Sequence, residues 1–129
     1  MILVDTSVWV EFFAHPSRLD LASEIDLDDV VTCLPVIQEI LQGFDDQRAY
    51  LMAREAMFAF PIVESPLGSA VFEDAVDLYR RARRAGFTVR SGVDCLVAAC
   101  AMRNSLAIVH RDRDYDALGE IAGLEVRRL

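Results

Sequence analysis

The feature that most narrows what this chain can become is a set of five short apolar runs that are continuous rather than alternating: Met1–Val4, Val30–Cys33, Pro61–Val63, Leu106–His110 and Leu124–Arg127. A strand with one wet face shows a polar residue at every second position, whereas a strand covered on both faces reads as an unbroken apolar stretch. The segments between the runs are longer and keep helical spacing. Strands separated by helices are joined by crossovers, run parallel, and are covered by the helices that connect them. The expected fold class is therefore α/β, a central parallel sheet of about five strands flanked by helices.

Helix ends are readable as well. One helix begins near Ser7 and carries Val8-Trp9-Val10-Glu11-Phe12-Phe13. Pro35 suits a first helical residue and Gly43 a stop, which frames Val36–Gln42. A third helix covers Gln47–Phe58. The longest follows Ser65-Pro66 and ends at Gly86, with Leu67, Val71, Phe72, Ala75, Val76 and Tyr79 in helical register. A nearly all-apolar helix runs from Val93 to Met102. With no repeat and no low-complexity linker, residues 1–129 are expected to form one domain, long enough to bury a core. Asp5 and Glu11 interrupt the first apolar stretch and no basic leader precedes it, so neither a signal peptide nor a membrane span is expected. Cys33, Cys95 and Cys100 are odd in number and never spaced C-x-x-C. They are expected to be free thiols of a cytoplasmic protein rather than zinc ligands.

In an open parallel sheet, ligands bind beyond the C-terminal ends of the strands. Asp5 directly follows the first strand, and Asp112 comes two residues after His110, the end of the fourth. Both carboxylates thus fall on one sheet edge. Asp94 enters from the first turn of the Val93–Met102 helix and is its only charge before Arg103. Each residue also has an ordinary structural role open to it. Asp5 fits a turn or cap after a strand. Ser91-Gly92-Val93-Asp94 fits a capping box. Glu39 lies off the apolar face made by Val36, Ile37, Ile40, Leu41 and Phe44, so helical periodicity leaves it in solvent. Asp112, Asp114 and Asp116 form a run in which one or two members suit loops or caps. Taken together, however, carboxylates converging at one edge repel one another, and a hard divalent cation relieves that repulsion by coordinating oxygen. Such a cation lowers the pKa of a bound water and stabilises charge on a phosphoryl oxygen, which points to phosphate-ester chemistry.

A net charge of −8 argues at first against a nucleic-acid partner, but its distribution is uneven. Residues 1–79 hold 3 Arg and 15 acids, whereas residues 80–129 hold 10 Arg and 6 acids, and the chain has no Lys. Arg80, Arg81, Arg83, Arg84 and Arg90 crowd one stretch. Arg suits two-pronged contact with phosphate, although a solvated helix face is an equally good account of the run.

Four segments carry a family resemblance: Met1-Ile2-Leu3-Val4-Asp5-Thr6-Ser7-Val8-Trp9; Gln38-Glu39-Ile40-Leu41-Gln42-Gly43; Val93-Asp94-Cys95-Leu96-Val97-Ala98-Ala99-Cys100-Ala101; and His110-Arg111-Asp112-Arg113-Asp114-Tyr115. In order, separation and total length the chain resembles the PIN-domain ribonucleases, specifically VapC-type toxins of toxin–antitoxin pairs. The resemblance implies a PIN fold whose four acidic positions map onto Asp5, Glu39, Asp94 and Asp112. It implies Mg²⁺- or Mn²⁺-dependent endonucleolytic cleavage of RNA, often tRNA or ribosomal RNA, a VapB-like antitoxin that obstructs the site, and a homodimer. It is also what recruits Glu39, sets the Thr6 or Ser7 hydroxyl near the metal, and makes Asp114 an auxiliary ligand or a support for one. His110 stands where many members have Ser or Thr, and fits either a locally hydrogen-bonded strand end or a pH-sensitive neighbour of the site.

The mechanism expected on these grounds has Asp5 and Asp94 holding the principal metal, with Asp112 and Glu39 completing the site directly or through water. Replacing Asp5 or Asp94 is expected to abolish cleavage and spare the fold. Arg80–Arg90 would grip the RNA backbone, with Arg111 and Arg113 close to the chemistry. A haloacid-dehalogenase-type phosphatase would want an Asp where Ser7 stands, and a response-regulator receiver would want a Lys. A DNA flap or repair nuclease and a non-catalytic antitoxin-binding scaffold remain the alternatives. Trp9, Phe12, Phe13, Phe58 and Phe60 offer an apolar groove for an antitoxin helix, or simply belong to the core.

Overall fold

The computed structural model describes residues 1–14 and 16–129. In chain order the elements are β1 (Ile2–Val4), α1 (Thr6–Phe13), α2 (Leu21–Glu24), a 3₁₀ turn (Leu27–Asp29), β2 (Val30–Cys33), α3 (Leu34–Gln42), α4 (Gln47–Phe58), β3 (Ile62–Val63), α5 (Ser69–Arg84), α6 (Gly92–Arg103), β4 (Ala107–His110), α7 (Arg113–Ala122) and β5 (Val126–Arg128). The five strands form one parallel sheet in the order β3-β2-β1-β4-β5. This is the expected α/β architecture. Leu3, Val4, Val30, Val31, Ile108 and Val109 are buried, which is why those runs lack polar alternation.

The order of the strands places the site. From β1 the chain steps outward through β2 to β3, then returns to pair β4 against the other side of β1. β1 and β4 align Ile2 with Ala107, Leu3 with Ile108 and Val4 with Val109, so both strands end at the same level. The connections diverge there and leave a crevice at the strand ends. Asp5 N donates to Val109 O at 2.9 Å, which pins the first carboxylate to the mouth of that crevice.

The helix ends follow from short polar side chains. Asp46 caps α4 by accepting from Ala49 N, Ser91 caps α6 by accepting from Val93 N, and Asp112 caps α7 by accepting from Asp114 N. Pro35 lies in the first turn of α3 and Gly43 ends it. Two helices, α2 and α7, were not expected from the sequence. The signal for α7 was present, since Tyr115 and Leu118 are buried three residues apart, but the Asp112–Asp116 run reads more readily as loop. α7 stops at Gly123, whose φ of +66° is the left-handed conformation that glycine adopts without penalty.

Gly119 is where α7 touches β5. A Cβ there would lie 3.0 Å from Val126 Cγ2 and 3.1 Å from Leu124 O. Gly119→Ala is expected to lower stability by about 1–2 kcal/mol in urea melts despite the better helix propensity of Ala, because a backbone carbonyl cannot yield as a side chain does.

Trp9 is buried, and its indole Nε1 donates to Val4 O at 3.2 Å. Its ring packs against Phe12, Phe13 and Phe60, and Phe13 meets Phe44. Phe12, Phe13, Phe44 and Phe60 are half-buried, so this cluster is partly core and partly surface. Phe58 stands apart, exposed beneath the Arg54 guanidinium. No helix among the described residues is long and apolar enough to cross a membrane.

Candidate active site

The β1–α1 junction is built around Asp5. Its carboxylate Oδ2 accepts from Ser7 N (2.9 Å) and from Ser7 Oγ (2.6 Å), so it caps α1. Its Oδ1 accepts from the buried Tyr115 hydroxyl at 2.6 Å. Ser7 Oγ in turn accepts from Arg111 N at 2.9 Å, joining the ends of β1 and β4 through one hydroxyl. Tyr115 was the member of this network that sequence reasoning missed. It is fully buried in α7 and points its phenol back at β1. Burial, and next the Asp5 charge, hold that phenol well above its usual pKa, so it stays a donor.

Asp94 sits in the first turn of α6, 7 % exposed, and its Oδ2 has no hydrogen-bond partner among the described residues. Ser91 Oγ accepts from Val93 N, and among the described residues Asp94 makes no reciprocal capping bond, so the capping reading does not account for Asp94. Burial, reinforced by the charges of Asp5, Asp112, Asp114 and Glu39, pushes its carboxyl up to about 8. Buried polar groups nearly always find partners, and an unpartnered carboxylate oxygen among four other acids is an atom that a bound cation would satisfy.

Asp94, Asp112 and Asp114 each offer a ligand atom, and these atoms lie within 4.8 Å of one another. The set is all oxygen, which suits Mg²⁺, Mn²⁺ or Ca²⁺ rather than a soft metal. Asp114, expected as auxiliary, lies inside this cluster, and Asp5, expected with Asp94 to hold the principal metal, accepts from Ser7 and Tyr115 while its carboxylate keeps acceptor capacity for a cation.

Glu39 is half-buried rather than solvated, and its Oε1 accepts from Thr6 Oγ1 at 3.0 Å. Burial raises its pKa, with Asp5 and Asp112 adding to the rise and the Thr6 bond opposing it. α3 thus sets Glu39 beside Thr6, on the side of the crevice that holds the other acids. His110 is fully buried, with Nδ1 accepting from Asp112 N at 3.2 Å and Nε2 lying 3.4 Å from Asp116 Oδ1 without hydrogen-bond alignment. Burial lowers its pKa and favours the neutral ring. His110 therefore orients the backbone at Asp112.

The arginines divide by what they touch. Arg81 donates to Ile121 O and pairs with Asp77, which ties α5 to α7. Arg80, Arg83, Arg84 and Arg113 are exposed, with Arg83 laid over the Tyr79 ring. Arg111 reaches Leu129 O through Nε. Among the described residues, Arg90 is the member of the expected set that pairs with the acidic cluster, 3.5 Å from Asp112 and 3.7 Å from Asp114.

This geometry has recognised relatives. The PIN domain family model matches residues 2–121. Ribonuclease VapC11 of Mycobacterium tuberculosis and VapC ribonuclease Mb1587 of Mycobacterium bovis are each 39 % identical over 132 residues, spanning 97 % of this chain and 96 % of theirs. In three dimensions the chain is similar to VapBC-5 of Mycobacterium tuberculosis, described as a member of the VapBC family of toxin–antitoxin systems. That match has a TM-score of 0.73 and 22 % identity, and covers 99 % of this chain and 98 % of that one. With an acidic crevice between β1 and β4 and relatives matched almost end to end, the chain belongs to the PIN-domain family, among the VapC ribonucleases.

Proposed function

We propose that this protein is a divalent-metal-dependent endoribonuclease that acts as the toxin of a toxin–antitoxin pair. The observation that carries the reading is the convergence of Asp94, Asp112 and Asp114 at the sheet edge, with Asp94 Oδ2 buried and unpartnered. In this reading Asp94, Asp112 and Asp114 hold Mg²⁺ or Mn²⁺ together with Asp5, and Glu39 completes the site directly or through water. A bound divalent ion supplies Lewis-acid charge at a scissile phosphodiester. Asp5 holds the ends of β1 and β4 together through Ser7, and so keeps the carboxylates in register. Exposed Arg80, Arg83, Arg84 and Arg113 attract the RNA backbone to an otherwise acidic chain.

The partners follow from the same relatives. A VapB-like antitoxin would cover the crevice, with the half-exposed rim of Phe12, Phe13, Phe44 and Phe60 as apolar footing for a helix. Phe72 and Val76 stand exposed on α5 and supply a surface for the expected homodimer.

The test is cleavage of total RNA and of matched single-stranded DNA by purified protein. Mn²⁺ or Mg²⁺ is expected to support cutting of RNA and not of DNA, EDTA to stop it, and excess cation to restore it. Cleavage of DNA in preference would favour a flap or repair nuclease. Absence of both cation binding and cleavage would leave only a scaffold. EDTA-insensitive cutting would remove the metal from the account.

A further inference from the structure

We infer that Arg90 is a built-in counter-cation of the acidic cluster, displaced from Asp112 and Asp114 when a divalent ion enters. The inference rests on the reading of that cluster as a metal site. Arg90 lies on the segment between α5 and α6, and its backbone N donates to Asp114 Oδ2 at 3.2 Å. That bond places the side chain over the cluster, where Nη2 is 3.5 Å from Asp112 Oδ1 and Nε is 3.7 Å from Asp114 Oδ1. Both separations exceed the 2.7–2.9 Å typical of a tight charge-assisted bond, and the side chain is 56 % exposed. The guanidinium is thus close enough to offset repulsion between the two carboxylates and loose enough to leave.

The compensation is one-sided. Asp94 and Asp114 are both buried and Asp112 is half-buried, yet among the described residues Asp94 keeps an unpartnered oxygen while Asp112 and Asp114 share Arg90. An incoming divalent ion needs the same two carboxylates. It also brings two positive charges beside the guanidinium, so competition and repulsion act together to expel Arg90. Arg80, Arg83 and Arg84 are exposed on the neighbouring end of α5, with no ion pair to the cluster among the described residues. Arg90 is the cation that connects that basic surface to the acids. Once released, it presents a guanidinium beside the loaded site, where a substrate phosphate arrives. Metal loading and phosphate grip are thereby coupled through one side chain, and a site without metal withholds that grip.

Mn²⁺ affinity, measured by calorimetry or by electron paramagnetic resonance of free Mn²⁺, tests this without reference to activity. Arg90→Gln is expected to bind Mn²⁺ about fivefold more tightly than wild type, the yield of losing two partly exposed ion pairs. Arg90→Lys, a single point charge without the fork, is expected to fall between them. Arg48→Gln removes an equal charge from the exposed surface of α4 and is expected to leave the affinity unchanged. In the wild type, the Arg90 Nε–Hε NMR resonance is expected to shift on Mg²⁺ addition. Equal or weaker binding by Arg90→Gln, equal tightening by Arg48→Gln, or an unmoved resonance in a protein that binds Mg²⁺ would overturn the role of Arg90 and leave the metal site standing. Failure of the wild type to bind either ion would overturn both.

Discussion

In the absence of divalent cations at pH 8, Asp94→Asn is expected to melt several degrees above the wild type, and with Mg²⁺ present it is expected to cleave RNA on the order of 10³-fold more slowly. A gain in stability from loss of function follows from the environment of the side chain. Burial, and then the charges of Asp5, Asp112, Asp114 and Glu39, lift its carboxyl from 3.8 to about 8. Between those values the folded state keeps a proton that the unfolded chain has lost. The contribution of this group to stability is complete below pH 3.8 and is lost as pH rises through about 8. At pH 8 about half of the folded wild type carries the buried charge and the rest holds a proton that the unfolded chain has given up, a destabilisation of several kcal/mol that Asn does not have. A cation reverses the order, because it binds the wild-type carboxylate and gains little from the amide. Thermal melts of both proteins from pH 5 to 8, with EDTA and with Mn²⁺, provide the measurement. Parallel pH slopes would show that Asp94 is not held above its usual range, and equal stabilisation of both proteins by Mn²⁺ would remove it from the ligand set.

Asp5→Ala is expected to lose cleavage and also about 2–4 kcal/mol of stability, the sum of a helix cap and a buried phenol left without an acceptor. The sequence-based expectation that this replacement spares the fold did not include Tyr115. Asp5 accepts from Ser7 N, Ser7 Oγ and Tyr115 Oη, so removing it loosens α1, the β4 end and α7 together. Asp5→Asn separates the two contributions. Its remaining carbonyl oxygen can still accept for the cap, so more than half of the lost stability should return in urea melts, whereas cleavage should not. If Asn restores cleavage along with stability, Asp5 is a structural post and the negative charge at that position is dispensable.

The contrast between these two aspartates shows where sequence reasoning reached and where it stopped. Each directly follows or opens a recognisable element, and each has a capping role open to it. For Asp5 capping is what the structure displays; for Asp94, Ser91 takes the cap and the carboxylate is left buried. No spacing rule separates the cases, since the difference is whether a neighbouring hydroxyl does the work first. Glu39 is similar. Its place off the apolar stripe of α3 is real, yet the off-stripe side faces Thr6 across the β1–α1 turn rather than water. Periodicity reports distance from the core, and a polar crevice satisfies it as well as solvent does.

The arginine run divides for the same reason. Arg81 and Arg83 are two residues apart on one helix and therefore on different faces, so one meets Ile121 O and the other lies over Tyr79. Charge density along the chain could mark the patch but not assign its members. α7 was missed because three aspartates in five residues read as loop, although Tyr115 and Leu118 already carried a helical stripe.

What the sequence determined by itself is the set of strands, their parallel relation and the end of the sheet where acids gather. Continuous apolar runs demand cover on both faces, helical crossovers supply it, and that arrangement forces the strand ends to one edge. What only the tertiary structure decided is which acids are already neutralised and which are not. Reversal of strand order between β1 and β4 brings Ser7, Tyr115 and Arg90 to the crevice from positions up to 110 residues apart. Those partners satisfy Asp5 and shade Asp112 and Asp114, and leave Asp94 buried with an empty oxygen. The unpartnered oxygen of Asp94, rather than the count of carboxylates, is what supports the proposal of a cation in the crevice.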